Sequence, residues 1–309
     1  MKELPNPTLP LLSLMDFRFG RARRAMPSDA HGAREGRASR DINVGTTWRA
    51  GADTLAPTMP TPSREPDFEV RWARHADEVR AAQRLRHAVF VGEMGARLTL
   101  PPGAPAGHDV DLFDDFCEHL LVRTPATDDA PAQVIGTYRV LTPAAARRAG
   151  GYYSDTEFDL TRLRPLRDRM AELGRSCVHP QFRSGGAILA LWGALAEFMS
   201  SNRLDTMVGC ASIGMRDGGH TAASLWVRLQ ASHLAGLEYQ VRPRLPLPVD
   251  ELDQSLDVEP PALIKGYLRC GAKVLGAPAW DPDFNTADLP LLLRLSDLPA
   301  RYRKHFLGA

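Results

Sequence analysis

Residues 171–188 read AELGRSCVHPQFRSGGAI. An apolar run carries Glu172 and Arg175, breaks at Pro180, and passes through Arg-Ser-Gly-Gly into an apolar helix-forming segment. The first half has the length and composition of a buried strand, and the second half has the glycines that open a turn ahead of a helix. In a regular strand, residues three apart project to opposite faces. A β-bulge at Gly174 would instead turn Glu172 and Arg175 toward one cleft. The turn behind the strand frees backbone N–H groups at the start of the next helix, an arrangement suited to phosphate.

Working outward, FEVRWA at residues 68–73 reads as a short strand. Residues 77–91 read as a helix with Val79, Ala82, Leu85 and Val89 on one face. A Gly/Pro-rich loop over 92–116 ends in acids, and CEHLLVR and QVIGTYRVL follow as two hairpin strands. LTRLRPLRDRM reads as a helix, then come the opening strand, the helix ILALWGALAEFMS, the strand TMVGCAS and a helix around 220–234. PALIKGYLRCG reads as a helix, AKVLGAPAW and DLPLLLRL as strands, and a short helix ends the chain. This order predicts an α/β (α+β) fold: a mixed, mostly antiparallel sheet with helices on both faces.

Residues 1–66 differ from the rest. Pro, Gly, Ala, Arg and Ser dominate and no period persists. Such a segment buries too little surface to offset its ordering entropy, so it is expected to be disordered or weakly ordered, with the folded domain over residues 67–309. The net charge of +1 gives no global signal for nucleic acid, and none is expected as a partner. Cys117, Cys177, Cys210 and Cys270 form no CxxC pair, which fits reduced thiols rather than a disulfide frame or zinc site. No apolar stretch reaches the roughly 18–20 residues of a spanning helix. GCASIG is one residue too long for a nucleophile elbow, HExxH and Walker motifs are absent, and no histidine has an aspartate five residues later.

Several ordered blocks together carry a resemblance. FDDFCEHLLV, GTYRVLTP, YSDTEFDL, ELGRSCVHPQFR, PALIKGYLRCGA and FNTADLPLLL resemble the ornithine Nα-acyltransferases of ornithine-lipid synthesis, sometimes labelled hemolysin-like. That family has the GCN5-related N-acetyltransferase fold, so the resemblance implies a splayed central strand. A sparser set is similar to the acyl-homoserine-lactone synthases: LRHAVFV, the acids of FDD, Arg139 and E-L-x-R. The resemblance implies transfer of a 3-hydroxyacyl chain from the phosphopantetheine of acyl carrier protein to the α-amine of L-ornithine, giving lyso-ornithine lipid. It implies no permanent cofactor, no metal, and a cytoplasmic enzyme that meets the inner membrane surface transiently. Two other readings stay open: a different acceptor on the same fold, and a non-catalytic acyl- or carrier-binding module.

The residues can be weighed for that chemistry. Thioester aminolysis needs a free amine, a base and donors for the developing oxyanion. Glu172 is the candidate base, and a strand-end carboxylate paired with an arginine is its plainer reading. Arg175 is read as holding a carboxylate or bracing Glu172. Tyr267, in a Y-x-x-x-G pattern with Gly271, is the candidate acid for the leaving thiolate, or else a buried tyrosine with its hydroxyl satisfied. Val178, Ser184, Gly185 and Gly186 are the expected neighbours of the pantetheine arm and its phosphate. FRSGGA lacks the leading basic or amide residue of the CoA-binding turn, which favours carrier protein over CoA.

Asp111 and Asp114, in HDVDLFDDF, are read as facing the cationic acceptor, and Arg139 as pairing with one of them. Arg86 and Phe90 are expected to line the cleft. Between Arg139 and Arg183, nine arginines against five acids offer a basic face to an acidic carrier protein.

Overall fold

The computed structural model describes residues 68–307, so the expectation for residues 1–66 lies outside the described residues. The hairpin expected from CEHLLVR and QVIGTYRVL forms as β2 (Glu118–Arg123) and β3 (Val134–Leu141). Its outer neighbour is β1 (Glu69–Trp72), and its inner neighbour is β5 (Met170–Val178). Beyond β5 lie β6 (Thr206–Gly214), β10 (Thr286–Arg294) and β8 (Lys273–Val274), with β9 (Ala279–Asp281) also on β10. The order is β1-β2-β3-β5-β6-β10-β8. β5 and β6 run parallel, and the other pairs are antiparallel. A separate two-residue pairing joins β4 (Phe158–Asp159) to β7 (Arg242–Pro243).

Helices cover the sheet because each presents an apolar face. The helix α3 (Gly186–Ser201) buries Ile188, Leu191, Trp192, Leu195 and Met199. These pack with Tyr138 and Val140 of β3 and with Tyr302 of α6 (Ala300–Leu307) in one core cluster. A second cluster joins α4 (His220–His233), α5 (Ala262–Arg269) and the strands β6 and β10 through Leu225, Trp226, Ile264 and Leu289. The helix α1 (Ala76–His87) packs beside β5, where Leu85, Val89 and Phe90 surround Cys177. The helix α2 (Pro143–Ala149) is capped by Thr142, whose hydroxyl accepts the Ala145 N–H.

Three local expectations change. The first helix ends at His87 and continues as a wider π-type turn over Ala88–Glu93, which carries Phe90 to the sheet. The segment read as a helix over 160–170 is a run of 3-10 turns, Thr161–Arg169, because Pro165 removes a donor from its middle. The single late strand expected over 272–280 is split into β8 and β9. Gly276 lies between them against Val241, whose carbonyl oxygen would stand 2.4 Å from any Cβ there.

The feature that positions the site lies at the centre of the sheet. β5 pairs with β6 only through Met170, Ala171 and Glu172. Beyond that point β6 continues with β10 alone, so the two central strands part. On its other side β5 is bulged. Gly174 faces Arg139 and Cys177 faces Thr137, which leaves Arg175 and Ser176 together opposite Tyr138. Arg175 takes a left-handed conformation, with φ of 50°. The bulge expected at Gly174 therefore falls one residue later, on a residue whose side chain is held strongly enough to offset the backbone cost.

Candidate active site

The parted strands open a cavity of about 230 Å³. Its wall includes Glu172, Arg175, Tyr153, Tyr267, Phe284 and Asp288. Phe90 also lines it, edge-on to Phe284 with ring centroids 5.7 Å apart. A second, more apolar space of about 90 Å³ adjoins it and shares Tyr138, Leu173, Cys210, Ala211 and Tyr267. Trp192, Leu195, Leu293 and Phe306 enclose that second space.

One wall rests on a closed ring of ion pairs. Arg86 contacts Asp109 at 2.8 Å and Asp114 at 2.6 Å. Arg139 contacts Asp114 at 3.0 Å and Asp111 at 2.6 Å. Arg175 contacts Asp111 at 3.1 Å and Asp109 at 3.4 Å. Each arginine meets two aspartates and each aspartate meets two arginines. The ring joins α1, the loop before β2, β3 and the bulge of β5. Its charges cancel, and it is this ring that holds Arg175 in its left-handed conformation. Burial opposes ionisation of Asp114, but Arg86 and Arg139 outweigh it and hold that carboxyl well below the usual range. Asp111 is lowered in the same way by Arg139 and Arg175. Gln83 adds a hydrogen bond to Asp114 at 3.0 Å.

Two sequence expectations change here. Arg86 is 0% exposed and sits behind the cavity wall, not on it. Arg175 does not brace Glu172; its guanidinium is directed to Asp109 and Asp111 and lies over the rings of Tyr153 and Phe284, 4.8 and 4.6 Å from their centroids. Left-handed backbone at Arg175 swings its side chain toward the loop acids and away from Glu172.

Glu172 instead caps a short 3-10 turn, Tyr153–Asp155. One oxygen accepts the Tyr153 N–H at 2.6 Å, and the other accepts the Ser154 N–H at 2.7 Å and the Ser154 hydroxyl at 2.5 Å. A carboxylate has about four acceptor sites, so one remains. Burial raises its pKa, and the three donors oppose that shift. Tyr267 lies under Trp192, with ring centroids 5.4 Å apart, and shares a short hydroxyl–hydroxyl bond with Tyr138. Burial and the Tyr138 hydroxyl push its pKa well up, so it stays protonated at neutral pH.

The turn after β5 places Gly185 as the N-cap of α3 at φ 108°, a conformation suited to glycine, and Gly186 as its first residue. Gly185 and Val178 line the cavity, and Ser184 stands just before Gly185 in the turn. Arg183 does not supply a free cation there. It forms a two-pronged bond to Glu93, at 2.6 and 2.7 Å, and donates to the Val178 carbonyl. The expected basic face is likewise largely paired: Arg147 with Asp168, Arg167 with Asp155 and Arg169 with Asp205. Burial drives all four thiols upward, Cys117, Cys177 and Cys270 to about 12 and Cys210 well above its ordinary value, which leaves no thiolate nucleophile at neutral pH.

Sequence reasoning passed over Ser154, Tyr153, Glu157, Asp281 and Asp288. They lie in three separate segments, and only folding brings Tyr153, Ser154 and Asp288 to the cavity wall with Glu157 and Asp281 beside Asp288. Asp109 was visible as one of four loop acids, but nothing in the sequence singled it out from Asp115.

Comparison with known proteins agrees with this architecture. The acetyltransferase (GNAT) domain family matches residues 85–193. The L-ornithine N(alpha)-acyltransferase of Rhodobacter capsulatus is 38% identical over 251 residues, covering 77% of this chain and 94% of that protein. The protein of the same name from Agrobacterium fabrum is 36% identical, covering 78% of this chain and 85% of that one. Among solved structures, the acyl-homoserine-lactone synthase LasI is 15% identical, with a TM-score of 0.44 over 79% of this chain and 96% of that one. With more than a third of positions shared across nearly the whole length of such relatives, the chain belongs to the L-ornithine Nα-acyltransferase family, built on an acetyltransferase (GNAT) domain.

Proposed function

We propose that this protein transfers a 3-hydroxyacyl chain from the phosphopantetheine thioester of acyl carrier protein to the α-amine of L-ornithine, giving lyso-ornithine lipid. The observation that carries this reading is the parting of β5 and β6 at Glu172. It leaves one edge of β5 without a strand partner, where an extended pantetheine arm can pair as an added strand. It also opens the main cavity, which carries Glu172 and Asp288, into the more apolar space beneath α3, which suits a hydrocarbon tail. The names of the relatives supply the acceptor.

In this reading the donor enters past Gly185, with its phosphate at the start of α3, where Ser184 and the backbone N–H groups of Gly185 and Gly186 are available. The thioester carbonyl stands at the bulge, between Glu172 and Tyr267. The neutral amine of ornithine attacks the carbonyl carbon, forming the C–N bond. Glu172 receives the amine proton at its remaining acceptor site, directly or through a water. Its raised pKa brings it nearer that of the amine, which is the matching a general base requires. The C–S bond then breaks, and the Tyr267 hydroxyl protonates the departing thiolate. Arg139 and Arg175 line the cavity wall with their charge balanced by Asp109, Asp111 and Asp114, so they shape the acceptor's place rather than supply a free cation to its carboxylate. The exposed Arg147 and Arg169 retain a share of the attraction for an acidic carrier protein.

No helix among the described residues is long and apolar enough to cross a membrane. An amphiphilic product would reach the bilayer from a surface encounter.

The test is incubation of the purified protein with 3-hydroxyacyl carrier protein and a panel of amino acids, followed by mass spectrometry. The expected product is an ornithine amide whose fragmentation places the acyl group on Nα. An amide of a different amino acid, with none on ornithine, would refute the acceptor. Turnover with acyl-CoA equal to that with acyl carrier protein would refute the donor.

A further inference from the structure

The aspartates before β2 are fully engaged by arginines. Surplus negative charge lies instead at another side of the cavity, where Asp288 is on the wall and Glu157 and Asp281 stand directly behind it. Glu157 follows the turn that Glu172 caps, Asp281 ends β9, and Asp288 belongs to β10. One carboxylate oxygen from each lies within 4.8 Å of the others. None of the three forms an ion pair among the described residues.

Asp288 is 5% exposed and lines the cavity, with one oxygen bonded by the Thr286 hydroxyl at 2.9 Å. Asp281 accepts the N–H groups of Asp283 and Phe284. The Glu157 carboxylate has nothing comparable. Each of its oxygens exposes less than 1 Å² and accepts no hydrogen bond, although the Tyr153 hydroxyl and Cys210 thiol are close by. A buried carboxylate without a partner is unfavourable, and here two more acids crowd it. Arg175 is near enough to be felt by Asp281 and Asp288, but its N–H groups are directed to Asp109 and Asp111.

From this geometry we infer that Glu157, Asp281 and Asp288 form a binding site for the side-chain ammonium of the acceptor amino acid. The inference rests on the reading of the acceptor given above and assigns its far end. Three acceptors each about 2.8 Å from one tetrahedral nitrogen stand about 4.6 Å apart, which falls inside the 4.8 Å limit on the separation of these oxygens. The site also explains regiochemistry. Neighbouring carboxylates favour the charged form of an amine. An amine held by three of them stays protonated and cannot attack a thioester. The α-amine, outside the cluster, is the one free to lose its proton. Burial and mutual repulsion push Glu157 to about 8 and Asp288 to about 6 in the empty site, which is the cost a bound cation would relieve.

The test uses the full chain in two assays, with Glu157→Gln and Asp288→Asn as independent variants. In the first, ligand-observed NMR follows binding of L-ornithine, L-norvaline and 1,4-diaminobutane without donor. Ornithine and the diamine are expected to bind the wild type at least tenfold more tightly than norvaline, and each variant is expected to lose that margin. In the second, turnover with acyl carrier protein is measured for ornithine and norvaline. Each variant is expected to lose at least tenfold more in kcat/KM for ornithine than for norvaline, mainly through KM, and to release a fraction of Nδ-acylated product.

Binding or turnover that keeps its ornithine margin in both folded variants overturns the inference while the acceptor assignment stands. Cluster-dependent binding of ornithine that is never acylated overturns the acceptor assignment while the inference stands. Binding of a divalent cation in place of the diamine, abolished by the same variants, also overturns the inference.

Discussion

The carbonyl oxygen of Leu173 fills the place beside Gly209 where a side chain would stand: a Cβ on Gly209 would lie 2.3 Å from it. The contact falls one residue past the last β5–β6 pair, Glu172 with Val208. Gly209 therefore sits at the apex of the gap between the strands. Any side chain there must push backbone against backbone, since no flexible group is available to give way.

Gly209→Ala tests that apex. The substitution is expected to destabilise the fold by about 1–3 kcal/mol, the usual range for overpacking. It is also expected to lower acyl transfer more than tenfold, because the strands must separate at a different point. Thermal denaturation and turnover with acyl carrier protein measure the two effects. A variant as stable and active as wild type would show that the close approach is dispensable.

Arg86→Met probes the ring of ion pairs. Arg86 is wholly buried, so its loss leaves Asp109 and Asp114 short of positive charge in the interior. Breaking one partner out of a buried pair costs about 3–5 kcal/mol, measurable as a shift in the denaturant midpoint. The pH dependence follows from the depressed carboxyls of Asp111 and Asp114. Their stabilisation is present above the unfolded carboxylate pKa and is lost as pH falls through the folded values. Wild type should thus weaken steadily on acidification below about pH 4. The variant should show a shallower acid dependence.

Glu172→Gln and Ser154→Ala separate chemistry from scaffolding. The amide keeps shape and part of the hydrogen bonding to the 153–155 turn, but it cannot accept a proton from the amine. Loss of a general base costs about 10²- to 10⁴-fold in kcat. Ser154→Ala removes one donor to Glu172 and leaves the two backbone donors. It should change kcat by less than tenfold and shift the acidic limb of the pH–rate profile upward, because a donor that favours the ionised form is gone. Equal kcat in Glu172→Gln and wild type would remove Glu172 from the mechanism.

A pH effect of opposite sign is expected from the Glu157 cluster. Burial raises Glu157, Asp288 and Asp281 above ordinary carboxyl values, with mutual repulsion adding to it. Acids raised in the folded state hold protons that the unfolded chain releases, so stability is fully present at low pH and declines as pH climbs toward about 8. The groups facing Glu157 are Asp288, Asp281, Tyr153 and Cys210, with the charge of Arg175 nearby. Glu157→Gln should flatten the decline between about pH 5 and 8 and raise the melting temperature at pH 8. Ornithine should do the same for wild type, by linkage. An unchanged slope in the variant would mean that Glu157 is solvated in solution.

The bulge in the central strand was implied by the family resemblance and falls one residue later than expected. The sequence by itself determined most of the order of elements and the α3 face. These follow from local patterns: alternation in β2 and β3, helical spacing of Ile188, Leu191 and Leu195, and a Gly-containing turn between strand and helix. It also held the ring's members in recognisable blocks, because Asp109, Asp111 and Asp114 are neighbours in the chain. The pairing of Arg139 with the acids at 111 and 114 was read from the sequence, but the part played by Arg86 and Arg175 in closing the ring was decided only by tertiary structure. The left-handed backbone at Arg175 aims its side chain, and no pattern in LGRS announces that conformation. The same holds for Glu157, Asp281 and Asp288: Glu157 lies more than a hundred residues before the other two, and the three become one charge cluster only when β9, β10 and the turn after α2 come together. Periodicity reports which side of an element is apolar; it carries no information on which polar groups from distant segments will be desolvated together, and that is what sets the chemistry of this site.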